Sequence, residues 1–183
     1  MCNFSGKIKE LGAIPIELIE NLTTKLENID WHLHDALKPN KHGVFIGTTE
    51  HIVFKFPTTI DSHLSSTFYP SWNIYGELIQ PIIDHIIPFY EYEKGETMSI
   101  MLANLLSGKT IAKHIDGGNA HAVPHKIHVP LITGPKVEFL EEDDSYYLKR
   151  GFAYEVNNLI LHGVINGEDF NRVHLIFTYY DAA

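Results

Sequence analysis

The chain has 183 residues, 44% of them hydrophobic and 20% charged, enough to bury one core and too few for two large domains. Asp and Glu number 23 against 14 Lys and Arg, and a formal net charge of -9 with a pI near 5.7 disfavours phosphate backbones and anionic lipid, which reward clustered cations. Nucleic acid and membrane surfaces are therefore not expected partners, and a single cysteine, Cys2, in an N-terminus without a signal-like apolar stretch points to a soluble protein of the reducing cytoplasm.

One domain over residues 1–183 is expected, with helices and strands of residues 1–96 packing on a β core formed by residues 97–181. The sequons Asn3-Phe4-Ser5 and Asn21-Leu22-Thr23 read as chance, and no apolar run has membrane-spanning length. Ile19, Leu22, Leu26 and Ile29 recur at steps of three and four behind Pro15, which predicts an amphipathic helix. His32 and His34 in WHLHD read as the polar face of a strand. HGVFIG (42–47) and HIVFKF (51–56) read as short strands, and PTTIDSHLSSTFYPSW (57–72) as a long loop, a candidate lid. Ile74, Leu78, Ile79, Ile82, Ile83 and Ile86 predict a second helix, kinked or restarted at Pro81, which lacks the amide hydrogen a helix interior uses. His85 on this helix reads as a hydrogen-bonded structural residue.

From residue 97 the texture changes to short β-branched and aromatic runs punctuated by Gly, Pro, Asn and Asp. TMSIMLANLL, TIAKHI, KIHVPLI, KVEFL, SYYL, FAYEV, HGVI and RVHLIFTYY predict eight strands in an antiparallel sandwich or barrel. The acidic run Glu141-Glu142-Asp143-Asp144 reads as a solvated hairpin end.

Between residues 113 and 131 lie His114, Asp116, His121, His125 and His128. On a strand, positions two apart share a face, so His114-Ile115-Asp116 presents an imidazole beside a carboxylate. His162, 48 residues later, supplies a third ligand, and two histidines with one carboxylate leave three adjacent coordination positions open, which suits nonhaem Fe(II). The chain has two arginines, and Arg172 opens the apolar run RVHLIFTYY. Alternation puts Arg172, His174 and Ile176 on one face and Val173, Leu175 and Phe177 on the other. A buried guanidinium needs an anion, and a dicarboxylate beside the metal would fill that need through a bidentate fork. His121 and His125, in a Gly- and Pro-containing loop, are left unassigned between solvent exposure, the commoner outcome for loop histidines, and a place at the substrate entrance.

Together LLSGKTIAKHID, KIHVPL, RGFAYEVNNLILHGVIN and NRVHLIFTYYD resemble the aspartyl/asparaginyl β-hydroxylase family of Fe(II)/2-oxoglutarate oxygenases, and within it the bacterial proline-hydroxylase-like branch. The resemblance covers residues 100–181. It implies a mainly β fold with flanking helices, built on a double-stranded β-helix of jelly-roll or cupin type. It further implies that His114, Asp116 and His162 bind Fe(II), that Arg172 grips the distal carboxylate of 2-oxoglutarate with Lys126 and His128 nearby, and that O2 is the second cosubstrate.

Where the family commonly has Arg-x-His before Pro-Leu, this chain has Lys126-Ile127-His128. Ser99 reads as out of register for the hydroxyl that some members set against 2-oxoglutarate. The expected reaction hydroxylates an aliphatic C–H of an amino acid, a peptide or protein side chain, or a small amino-acid-derived metabolite. Asn166 and the loop aromatics Phe68, Tyr69 and Trp72 are candidate substrate contacts, with core packing as their alternative. No pattern sets an oligomeric state. A cupin-like metalloenzyme that does not use 2-oxoglutarate, and a noncatalytic β-sandwich binding module, are the rival functions.

Overall fold

A computed structural model of the chain describes residues 4–39 and 42–183. Cys2 and Asn3 of the first sequon lie outside the described residues. Two antiparallel sheets face each other. The larger runs in the order β1 (Ile8–Ala13), β9 (Phe152–Val156), β6 (His125–Ile132), β11 (Arg172–Asp181), β4 (Gly95–Leu105), β2 (Thr49–Pro57), β3 (Ser66–Phe68). The smaller runs β5 (Thr110–His114), β10 (His162–Asn166), β7 (Val137–Glu141), β8 (Asp144–Tyr146). These are the two leaves of a double-stranded β-helix, and all eight strands predicted beyond residue 97 form.

Strand alternation gives the large sheet two different faces. Outward, Phe54, Leu102, Val129, Leu175 and Phe177 are fully buried against Ile19 and Leu22 of α1 (Ile16–Leu26) and Ile79, Ile82 and Ile83 of α3 (Trp72–Ile86). Inward, Leu105 and Tyr154 meet Ile111, Val137, Phe139 and Val164 of the small sheet. This inner layer is incomplete, and the gap is the site described below.

The N-terminal part does more than pack on the outside, because β1 pairs with β9 and β2 with β4. Within the lid candidate, Ser66–Phe68 returns as β3 against the end of β2, while residues 58–65 between them form turns and bends outside any strand or helix. The short strand expected at 42–47 is instead a 3₁₀ turn over Gly43–Phe45, and WHLHD lies in the helix α2 (Trp31–Ala36). There the Asp30 side chain accepts from Leu33 N, a helix start that outweighs the alternation of its histidines. Pro81 sits inside an unbroken α3 on its exposed side, where water can satisfy the carbonyl that proline leaves unpaired.

Candidate metal centre and cosubstrate pocket

His114 ends β5 and His162 begins β10, and the two residues pair directly across the small sheet. Gly163 makes that pairing possible. A Cβ there would stand 2.8 Å from Ile111 O and 3.1 Å from Lys113 N, and the register slips by one residue at this point. Asp116 lies just past the end of β5, not on the strand as alternation assumed, and its amide donates to Asn158 O at 3.1 Å. This loop bond turns the carboxylate back towards both imidazoles.

The three side chains converge. One ligand atom from each of His114, Asp116 and His162 lies within 4.8 Å of the others. His114 Nε2 is 3.6 Å and His162 Nε2 3.9 Å from Asp116 Oδ1. The Nδ1 atoms of His114 and His162 face Ala112 O and Ile160 O, each at 2.9 Å. A carbonyl only accepts, so each Nδ1 carries the proton and each Nε2 keeps its lone pair for a metal. Burial, aided by the Lys126 charge, pushes the His162 pKa down to about 4, so the neutral, ligating form prevails at neutral pH. Burial opposes ionisation of Asp116, but the Lys126 ammonium outweighs it and holds the carboxyl well below its ordinary range. Two neutral imidazoles and an ionised carboxylate are the donor set expected for Fe(II).

This cluster lines a cavity of about 330 Å³ between the sheets. Lys126 bonds Asp116 Oδ2 and so has its charge matched. Arg172 has no such match: it is 1% exposed, its NH2 contacts His174 Nδ1 at 2.6 Å, and its Nε has no partner among the described residues. His128, also on the cavity wall, is buried, and neither ring nitrogen has a partner among the described residues. Unsatisfied buried donors beside an unmatched guanidinium fit a bound anion, since native proteins rarely leave such groups alone. The residues present thus suit a 2-oxo dicarboxylate as well as a metal.

Several side chains differ from expectation. Asn166 is buried and fully engaged by backbone: Nδ2 donates to Leu105, Leu106 and Phe170 carbonyls, and Oδ1 accepts from Glu168 N. It therefore clamps the β10–β11 connection. Trp72 packs on Phe54 and Phe68, with its ring against the helix-side core, so this candidate substrate residue lies on the far side of the sheet. His125 belongs to β6, is 5% exposed, and is bonded to Glu155 and to Tyr92 OH, not to solvent. His121 does face the cavity. Ser99 lies opposite Thr178, with their hydroxyls 2.9 Å apart, and both line the cavity.

Sequence reasoning missed the wall contributed by residues 42–60. Phe45 stands edge-on to both His51 and His114, with centroids 5.1 and 5.6 Å away. His51, buried on β2, faces the cavity while Asp35 Oδ1 accepts from its amide at 2.8 Å. Its signal was weak, because the helix α2 that holds Asp35 was read as strand.

A sequence profile of the aspartyl/asparaginyl β-hydroxylases matches residues 82–181, more than half of the chain, a span that includes His114, Asp116, His162 and Arg172. The chain belongs to that family. It is accordingly a 2-oxoglutarate-dependent dioxygenase, a hydroxylase with Fe(II) as its metal and 2-oxoglutarate and O2 as cosubstrates. Curated protein sequences give no match. Among solved structures, an oxidoreductase of the 2OG-Fe(II) oxygenase family from Burkholderia pseudomallei superposes with a TM-score of 0.62 at 12% identity, covering 98% of this chain and 92% of its own. The viral collagen prolyl hydroxylase vCPH from Paramecium Bursaria Chlorella virus-1, in its 2OG complex, gives 0.60 at 10% identity over 97% and 98%. HygX from Streptomyces hygroscopicus, with nickel and 2-oxoglutarate bound, gives 0.59 at 11% over 96% and 83%. At these identities the likeness establishes the fold. No helix among the described residues is long and apolar enough to cross a membrane.

Proposed function

We propose that this dioxygenase hydroxylates an aliphatic C–H of an amino acid, a peptide or protein side chain, or a small amino-acid-derived metabolite. In this reading His114, Asp116 and His162 hold Fe(II), and Arg172 receives the distal carboxylate of 2-oxoglutarate. His128 and Lys126 stand beside the path between them. The whole chain acts as one cytoplasmic oxygenase domain. The observation that carries the reading is the convergence of three ligand atoms within 4.8 Å on a cavity whose guanidinium has no anionic partner among the described residues.

Loaded Fe(II) with 2-oxoglutarate supplies O2 activation, delivering one oxygen atom to the substrate and one to succinate as CO2 leaves. The protein's own contribution is positional and electrostatic. The Ala112 and Ile160 carbonyls fix the imidazole tautomers, and Lys126 holds one carboxylate oxygen of Asp116, leaving the other directed at the histidines. Arg172, kept in an apolar surround, supplies a charge whose attraction for a carboxylate is little weakened by water. Phe45, Phe56, Ile60, Met101, Phe139 and Ile176 give the cavity an apolar lining that limits water at the reacting carbon.

The test is anaerobic loading with Fe(II) and 2-oxoglutarate, then oxygen exposure with a panel of amino acids and peptides. Succinate matched by a product heavier by one oxygen supports the reading. Absence of 2-oxoglutarate binding by the iron-loaded protein sinks it, and Arg172→Ala separates it from a metalloenzyme that binds its substrate directly.

A further inference from the structure

The unmatched charge of Arg172 raises the question of what holds its side chain in place before a ligand arrives. Its one hydrogen-bond partner among the described residues is His174, one pleat further along β11 and on the same face. His174 is 1% exposed and lies between Ala103 on one neighbouring strand and Pro130 on the other, where the small alanine leaves room for a ring. Guanidinium has five donors and no acceptor, so the 2.6 Å contact requires the lone pair on His174 Nδ1 and the proton on Nε2. Burial, with the Arg172 charge, lowers the His174 pKa well below the ordinary value, which keeps the acceptor uncharged.

An aspartate or glutamate at this place would orient Arg172 equally well but would also neutralise it, and an incoming carboxylate would have to compete. A neutral imidazole orients without neutralising. Lys126, which is neutralised by Asp116, is the contrast within the same cavity. We infer that His174 is a positioning residue that presets Arg172 for the distal carboxylate of a 2-oxo dicarboxylate while leaving its charge available. The inference rests on the proposed role of Arg172 as the cosubstrate anchor.

The experiment is calorimetric titration of the anaerobic Fe(II)-loaded protein with 2-oxoglutarate and, separately, with 2-oxobutyrate, which has the same oxo-acid head but no distal carboxylate. His174→Leu should weaken 2-oxoglutarate about ten- to hundredfold, the range expected for a hydrogen bond to a charged group, and leave 2-oxobutyrate unchanged. His174→Asn, whose Oδ1 can occupy the Nδ1 position, should stay within about threefold of wild type. His174→Asp should lose at least as much 2-oxoglutarate affinity as the leucine variant. Wild-type affinity in His174→Leu, an equal loss for both ligands, or aspartate performing as well as asparagine would overturn the inference. Should the leucine variant not fold, the asparagine and aspartate pair decides. Undiminished 2-oxoglutarate binding by Arg172→Met would instead refute the reading of the site itself.

Discussion

Arg172→Met should make the ligand-free protein more stable and blind to 2-oxoglutarate at once. Burial pushes the Arg172 pKa down to about 9, more than three units below its ordinary value; at about 1.36 kcal/mol per unit, keeping the ligand-free guanidinium charged costs about 5 kcal/mol. This cost applies throughout the neutral range, because the folded-state value is depressed for a cation and the folded form gains stability only as pH climbs above about 9. Methionine fills a similar volume without charge, but it strands His174 Nδ1 as a buried acceptor, a loss of about 1–3 kcal/mol. The balance is a gain of roughly 2–4 kcal/mol, or a Tm higher by roughly 5–15 °C in a chain of this size. Thermal denaturation with and without 2-oxoglutarate reads both effects. Wild type should gain about 2.7 kcal/mol at a ligand concentration a hundredfold above Kd, and the variant nothing. A destabilised variant, or one that keeps the ligand-induced shift, would refute the idea that Arg172 is a charge held in reserve for an anion.

Four further outcomes follow from the same geometry. His162→Ala should lower bound Fe(II), measured by metal analysis after anaerobic loading, from about one per chain to near zero, since two ligands remain. Gly163→Ala forces a Cβ to 2.8 Å from Ile111 O and should cost about 1–3 kcal/mol in chemical denaturation, with weaker iron binding because His162 is the adjacent residue. Asn166→Ala removes the donor to three carbonyls and should destabilise by roughly 2–4 kcal/mol, leaving the 2-oxoglutarate Kd unchanged. Burial pushes the fully buried Glu141 up to about 8. The folded state then keeps a proton that the unfolded chain releases, so wild type loses stability as pH rises from about 5 to 8. Glu141→Gln should escape that loss, by on the order of 3 kcal/mol at pH 8 in urea titrations.

The β core was legible because its strands carry alternation on both faces and are cut off by strong turn residues. The sequence blocks also kept His114, Asp116, His162 and Arg172 in an order that topology brings to one cavity. What escaped depended on partners distant in sequence. β1 has little alternation of its own and becomes a strand through pairing with β9, while β3 is three residues held by β2. WHLHD alternates like a strand, yet the Asp30 cap at its start outweighs that pattern. His125 bonds Glu155, 30 residues away, and Asn166 joins its local contacts to two carbonyls about 60 residues away, so the local sequence does not distinguish a structural clamp from a ligand contact.

The central claim is that one ferrous ion sits between β5 and β10. Anomalous X-ray difference maps recorded at the iron edge from crystals grown anaerobically with Fe(II) test it most directly. The account predicts a single strong peak within bonding distance of His114 Nε2, an Asp116 oxygen and His162 Nε2, unchanged when 2-oxoglutarate is added. A peak at any other place, or an iron-saturated crystal with none between these three side chains, would contradict it.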